Sequence, residues 1–134
     1  MTAKLRTRDI EKVLYANFFK RAIECLNASR TSFSNQEWNA STINAIHSCI
    51  AACDAMCVYF LGKRSAGESH GDAVKLFKMI NNSKEIDANA NRISRILSIK
   101  NMAEYEERLV FRLESEKILK DCERLLDYVK KQLP

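Results

Sequence analysis

Apolar residues recur along this chain every three or four positions, which is the spacing of amphipathic helices. The pattern predicts a first helix over residues 9–29, with Thr7 as its N-cap, and a second helix over residues 40–61. The polar, turn-prone segment 30–35 separates the two helices. One face of the second helix is rich in Ala and Cys, whose small side chains allow another helix to approach closely.

Two glycines, Gly62 and Gly67, bracket a tight connection after the second helix. Glu68 and Ser69 open a third predicted helix, which the polar triplet 81–83 stops. We therefore expect a short turn, rich in charge, between the second and third helices.

Two more helices are predicted in the last third of the chain. A fourth helix begins with Asp87 as its N-cap, and a long closing helix follows a charged segment after Tyr105. The closing helix carries an apolar stripe formed by Leu113, Ile118, Cys122, Leu125, Leu126, Val129 and Leu133. Because three Gly and one Pro leave little turn punctuation for a sheet, the prediction is one all-α domain, a compact helical bundle over residues 1–134.

Net charge and cysteine content narrow the kinds of partner and the cellular compartment that we expect. The net charge of +5, from 22 basic and 17 acidic residues, attracts polyanions only weakly and lacks the basic runs of a dedicated nucleic-acid reader. Charges are expected to interrupt every apolar stretch, so no membrane span is predicted. The segment 1–6 has no apolar core behind its charges, so no secretory signal is expected. Five cysteines, an odd number, indicate reduced thiols in a cytoplasmic protein.

Most kinds of catalytic or cofactor site find no support in the residue pattern. Cys49, Cys53 and Cys57 lie near His47, but structural zinc sites need two ligand pairs on separate elements, so we interpret the cysteines as a core stripe. No Gly-rich phosphate loop and no nucleophile elbow for a serine triad occurs in the sequence. We therefore predict neither a metal nor a cofactor.

An arginine and a histidine at the junction of the second and third helices remain. Arg64 ends the second helix or starts the turn, and His70 follows in the first turn of the third helix. Arginine binds phosphate oxygens through paired hydrogen bonds, and histidine can move a proton at neutral pH. This pair suits phosphodiester cleavage, although a single inward-facing histidine is more often a hydrogen-bonded core residue.

The stretch from residue 53 to 80, CDAMCVYFLGKRSAGESHGDAVKLFKMI, resembles the HEPN domain (higher eukaryotes and prokaryotes nucleotide-binding). That family is marked by an Arg, four to six residues and a His between two helices, and here five residues separate Arg64 from His70. The resemblance extends over nearly the whole chain and suggests a small, stand-alone member. It implies an up-and-down bundle of four to five helices, usually paired as a homodimer with the two motifs facing each other.

The resemblance also implies an activity. Many family members are metal-independent ribonucleases of toxin–antitoxin or other defence systems. By analogy Arg64 would bind the scissile phosphate, and His70 would be the general acid and base. The supporting or nucleotide-binding positions would be Asp54, Lys63, Ser65, Ser69 and Tyr105.

One departure from the family pattern keeps a second reading open. Active ribonuclease members often carry Asn, Asp or His directly after the Arg, where this chain has Ser65. The alternative is a catalytically silent HEPN module that binds a nucleotide or a protein partner, such as a nucleotidyltransferase or a cognate antitoxin. A third reading is a bundle with a purely structural or interaction role.

Overall fold

The chain forms a helical bundle with one small antiparallel ribbon. A computed structural model describes residues 5–67 and 69–134, with His70 described by its backbone alone. The elements in chain order are β1 (Thr7–Asp9), a 3-10 turn (Lys12–Leu14), α1 (Tyr15–Ser34), α2 (Trp38–Leu61), β2 (Lys63–Ser65), α3 (His70–Lys78), α4 (Lys84–Ser98), α5 (Lys100–Tyr105) and α6 (Arg112–Gln132). The predicted all-α class is confirmed, with five helices longer than eight residues and the short α5.

Helix α2 is the centre of the bundle and packs against α1, α3, α4, α5 and α6. Small residues bring it close to α1: Ser48 Oγ donates to the Ala22 carbonyl at 2.7 Å, and Ser41 Oγ donates to the Ser29 carbonyl at 2.9 Å. Each of these buried hydroxyls thus has a hydrogen-bond acceptor on the neighbouring helix. The close approach predicted from the Ala- and Cys-rich composition of this helix therefore matches the packing.

The expectation that charges interrupt every apolar stretch is wrong for α2. Within Trp38–Leu61, Asp54 is the only Asp, Glu, Lys or Arg residue. The helix is therefore long and apolar enough to cross a membrane. Most of its surface is nevertheless buried inside the protein. Burial by neighbouring helices on several sides explains why its sequence is apolar all round.

The first predicted helix begins too early and ends too early. Thr7 lies in β1 and is no helix cap, because residues 7–9 pair with residues 63–65 in an antiparallel register. Helix α1 starts at Tyr15, and Val13 is 70% exposed, outside the core. Pairing with a strand more than fifty positions away overrides the local helical pattern.

The polar segment 30–35 does not end α1, which continues to Ser34. The chain turns afterwards, at Gln36, whose φ is +61°. Phe33, on the last turn of α1, packs edge-to-face on Trp38 at the start of α2, with ring centroids 5.0 Å apart. This aromatic contact across the turn holds the extra helical turn in place.

Later boundaries also differ in detail. The N-cap of α4 is Ser83 and not Asp87, because Ser83 Oγ accepts a hydrogen bond from the Ile86 N–H at 3.1 Å. In α6 the predicted apolar stripe is buried except for Leu113, which is 69% exposed. Leu113 lies in the first turn of α6, where no described element covers it.

All five cysteines are free, as predicted. Cys49, Cys53, Cys57 and Cys122 are buried in the core, and Cys25 is half-buried. Burial raises the pKa of the Cys122 thiol to about 12, so this thiol stays protonated and unreactive at neutral pH.

Candidate functional site

The ribbon determines where Arg64 lies. Helix α2 ends at Gly62, which adopts the left-handed conformation with φ +70° and donates its N–H to the Val58 carbonyl at 3.0 Å. Glycine adopts this conformation at little cost, and the chain then leaves the helix as a strand. Arg64 therefore sits in the middle of β2, opposite Arg8 of β1, and neither in a helix nor in a turn.

The Arg64 guanidinium lies between an acid and an aromatic ring. Its Nη1 is 3.7 Å from Asp54 Oδ2, and its Cζ lies 5.7 Å from the centre of the Phe18 ring. The side chain of Arg64 is 33% exposed and that of Asp54 is 11% exposed. Arg64 Nε is buried and has no hydrogen-bond partner among the described residues. The guanidinium thus has a fixed position, and only its exposed part can donate to a ligand.

Burial makes Asp54 an unusual carboxylate. Removal from water raises the pKa of Asp54 to about 6, although the positive charges of Arg64 and Arg21 act in the opposite direction. Near neutral pH the group is mostly ionised and neutralises part of the Arg64 charge. In slightly acidic solution it takes up a proton and leaves the arginine charge uncompensated.

Two cavities of about 220 Å³ each flank the Asp54–Arg64 pair, and both are lined by Ile50, Asp54 and Arg64. The first is also lined by Ser65, Gly67, Ser69, Ala73, Leu97 and Lys100. The second is also lined by Arg21, Cys25, His47 and Ala51. We call the two cavities together the Arg64 groove, since the Arg64 side chain lines both of them.

Two further cationic side chains lie near Arg64, one in each cavity. Arg21 lines one cavity and Lys100 lines the other. Lys100 Nζ is held 3.2 Å from Glu104, whose second carboxylate oxygen lies 3.3 Å from His47 Nε2. Although burial acts to raise the pKa of Glu104, its hydrogen bond and ion pair with Lys100 lower that pKa overall. The groove therefore presents three cationic side chains to an anionic ligand, and the carboxylates of Asp54 and Glu104 offset part of the charge of two of them.

The structure brings four of the predicted site residues together: Asp54, Arg64, Ser65 and Ser69 line one cavity. Ser65 Oγ is buried and has no partner among the described residues. Tyr105 is 75% exposed and does not line either cavity, although its ring centre lies 5.7 Å from Lys100 Nζ.

The other two predicted site residues are Lys63 and His70. Lys63 pairs with Asp9 in the ribbon and lines neither cavity. The side chain of His70 lies outside the described residues. Its backbone begins α3 directly after Ser69, which is the N-cap residue.

The sequence pattern missed Arg21, Phe18 and the role of Lys100. Arg21 directly precedes the core residue Ala22, and Lys100 is the first residue of the short helix α5. Nothing local distinguishes these two cations from the other basic residues of the chain. Only the packing of α1 and α5 against α2 shows that these two cations line the cavities beside Arg64.

The chemistry of the groove is that of an anion site. Across the described part of the chain, no group of three or more His, Cys, Asp or Glu side chains is placed to hold a metal ion. Arg64 can donate to phosphate oxygens, and Arg21 and Lys100 can attract neighbouring negative charge. These residue types suit a phosphate-containing ligand.

Comparison with models of protein families gives a match. The family model described as HEPN domain matches residues 15–132, which is most of the chain. A search of curated proteins finds no match. The matched range contains α1 to α6 and the whole Arg64 groove.

Proposed function

This chain belongs to the HEPN domain family, whose members are nucleotide-binding or ribonuclease-type domains, and we propose that it cleaves RNA without a metal ion at the Arg64 groove. The observation that supports this proposal most is the environment of the Arg64 guanidinium. Its guanidinium is held by Asp54 and Phe18, is one-third exposed, and lies between two cavities lined by other cations.

Arg64 would bind the scissile phosphate. Its exposed donors can contact the nonbridging oxygens, where negative charge increases in the transition state. The 3.7 Å separation from Asp54 is within ion-pair range but too long for a hydrogen bond, so the carboxylate orients the guanidinium without occupying its donors. Asp54 is thus a positioning residue in this mechanism.

His70 would move the proton. In the proposed reaction the RNA 2′-oxygen attacks phosphorus, the bond from phosphorus to the 5′-oxygen breaks, and a 2′,3′-cyclic phosphate forms. His70 accepts the 2′-hydroxyl proton and returns a proton to the departing 5′-oxygen, so the charges balance. Imidazole suits both roles because it gains and loses a proton near neutral pH.

Flanking cations would hold the strand on both sides of the scissile bond. Arg21 and Lys100 line opposite cavities, with Arg64 between them. Neutralising several neighbouring phosphates makes binding depend on salt concentration, as expected for an RNA ligand. In the proposed homodimer, a second copy of the groove would face the first.

The test is RNA cleavage in excess EDTA, with single-stranded and structured RNA, by wild type, Arg64→Ala and Arg64→Lys. We expect cleavage by wild type, with 2′,3′-cyclic phosphate ends, and loss of about a hundredfold or more in Arg64→Ala. Arg64→Lys should recover little activity, because lysine lacks the planar donor pair. A 2′-deoxy substrate should resist cleavage.

The matched control is Arg30→Ala. Arg30 also pairs with a carboxylate, Glu123 at 2.8 Å, but lines neither cavity of the groove. We expect this variant to cleave like wild type. Equal cleavage by Arg64→Ala and Arg30→Ala would contradict the proposal, as would a wild type that is folded and dimeric but inactive.

A second candidate function is nucleotide binding without cleavage. Ser65 follows Arg64 where active members often carry a stronger positioning group, and its hydroxyl is buried without a partner among the described residues. A nucleotide phosphate could accept a hydrogen bond from this hydroxyl. Saturable nucleotide binding that is lost in Arg64→Ala, with no cleavage by wild type, would favour this function.

A further inference from the structure

A second groove, of about 520 Å³, lies between the α4–α5 segment and α6. None of its lining residues lines the Arg64 groove. Its floor is apolar and is formed by Ile99, Met102 and Ile118. We call it the α6 groove. A volume of this size lies within the range of small-molecule sites, and polar or charged side chains surround the apolar floor.

Two arginine–carboxylate pairs cross the rim of the α6 groove. Arg95 donates to Asp121 through two hydrogen bonds of 3.0 Å, and Arg108 donates to Glu114 through bonds of 2.9 and 2.7 Å. Both acidic residues that line the groove are therefore already paired. Glu114 and Asp121 are seven residues apart on α6, a distance of about 10 Å along the helix.

Two cations of the same rim have no ion-pair partner among the described residues. Lys117 lies between the two arginine–carboxylate pairs, and Arg124 lies one turn beyond Asp121. Lys120, the remaining lysine of the rim, pairs with Glu116 at 3.1 Å. The charges left over on this rim are therefore positive, beside an apolar floor.

We propose that the α6 groove binds a small amphipathic anion, with its aromatic or acyl body on the apolar floor and its acidic head at Lys117 and Arg124. A neutral apolar ligand would leave both cations without a partner. A wholly polar anion would gain nothing from Ile99, Met102 and Ile118. This inference is independent of RNA cleavage, because the two grooves share no residue.

Two fluorescent probes of nearly equal shape test the proposal. Anilinonaphthalene sulfonate carries an acidic head, and N-phenyl-1-naphthylamine is the same ring system without the sulfonate. We expect the sulfonate probe to bind with one-to-one stoichiometry and more tightly than the neutral probe. Dodecanoate should displace it, whereas dodecanol should displace it poorly.

Paired variants locate the site. Lys117→Gln combined with Arg124→Gln should weaken the sulfonate probe about tenfold and leave the neutral probe unchanged. Met102→Glu should weaken both probes, because it places a charge on the floor. The control is Lys20→Gln combined with Lys130→Gln, which removes two exposed lysines that do not line the groove. It should bind both probes like wild type, and thermal melting should show that all variants are folded.

Three results would overturn the proposal. The first is equal affinity for both probes, or binding of several sulfonate molecules that the Lys117 and Arg124 substitutions do not affect. The second is displacement of the sulfonate probe by an RNA oligonucleotide at lower concentration than by dodecanoate, which would indicate a polynucleotide surface. The third is loss of self-association in the Lys117 and Arg124 variant, measured by light scattering, which would indicate that a second copy covers the groove.

Discussion

Asp54 Oδ2 lies 3.7 Å from Arg64 Nη1, and this contact joins the last third of the buried central helix to the strand that follows it. The acid is the only charged residue of α2, and its side chain is 11% exposed. Desolvation penalises its ionised form, whereas the arginine stabilises it. The charge available to a phosphate at Arg64 therefore depends on the protonation of Asp54.

Asp54→Asn should remove a pH dependence of stability. The pKa of Asp54 is about 6 in the folded protein and 3.8 in the unfolded chain, so the folded state binds the proton more tightly. The contribution of Asp54 to the free energy of unfolding should therefore be fully present below pH 3.8 and be lost as pH rises through 6, by at most about 3 kcal/mol.

Urea unfolding of wild type and Asp54→Asn at several pH values between 4 and 8 measures this effect. The variant should gain stability relative to wild type as pH rises through this window, because asparagine has no charge to bury. A constant difference between the two proteins at every pH would show that the Asp54 pKa is not raised by folding.

Gly62→Ala should destabilise the protein by about 1 kcal/mol, because alanine is strained at φ +70°. A methyl group at this position would meet no atom within 4 Å, so the cost is conformational and not steric. Gly71→Ala, in α3, is the control and should be neutral or stabilising, since alanine favours the helix. Chemical denaturation compares the two. Equal effects would mean that the left-handed turn before β2 is not required.

Glu114→Gln should cost about 1 kcal/mol at neutral pH. The carboxylate accepts the Phe111 N–H at 2.9 Å at the start of α6 and pairs with Arg108 at 2.7 Å. The hydrogen bonds from Arg108 and from the backbone lower the pKa of Glu114 to about 2 in the folded protein, against 4.5 in the unfolded chain. This contribution is present above pH 4.5 and should be lost as pH falls through 2.

The matched variant is Glu116→Gln, two residues along the same helix. Among the residues that the structure describes, Glu116 pairs only with Lys120, at i and i+4, so its loss should cost less than about 0.5 kcal/mol. Urea midpoints at pH 7 and pH 3 separate the two cases. The prediction is wrong if Glu116→Gln costs as much as Glu114→Gln, or if the cost of Glu114→Gln does not decrease in acid.

Much of the architecture could be predicted from local pattern. The helical spacing of apolar residues predicted α2 and α6, and the Ala- and Cys-rich composition of α2 indicated a tightly packed central helix. Each signal is strong because a helix repeats its buried face every three or four residues. The Arg64 and His70 spacing indicated the HEPN family, and the family match over residues 15–132 confirms that resemblance.

Boundaries set by distant contacts could not be predicted. The local pattern predicts Thr7 as a helix cap, because polar residues before an apolar run usually cap helices. In the fold it pairs with Ser65, a residue that no local window contains. The position of the turn at Gln36 could not be predicted either, because it is associated with the packing of Phe33 on Trp38 across the turn.

The sequence by itself determined the helical class, the small close-packed face of α2 and the presence of an arginine at the junction of α2 and α3, because these follow from residue type and spacing. Only the tertiary structure decided that Asp54 is buried beside Arg64, and that Arg21 and Lys100 flank the pair. Burial and proximity depend on how α1, α2 and α5 pack together. They change the charge and the pKa values that define the site, and no local pattern contains them.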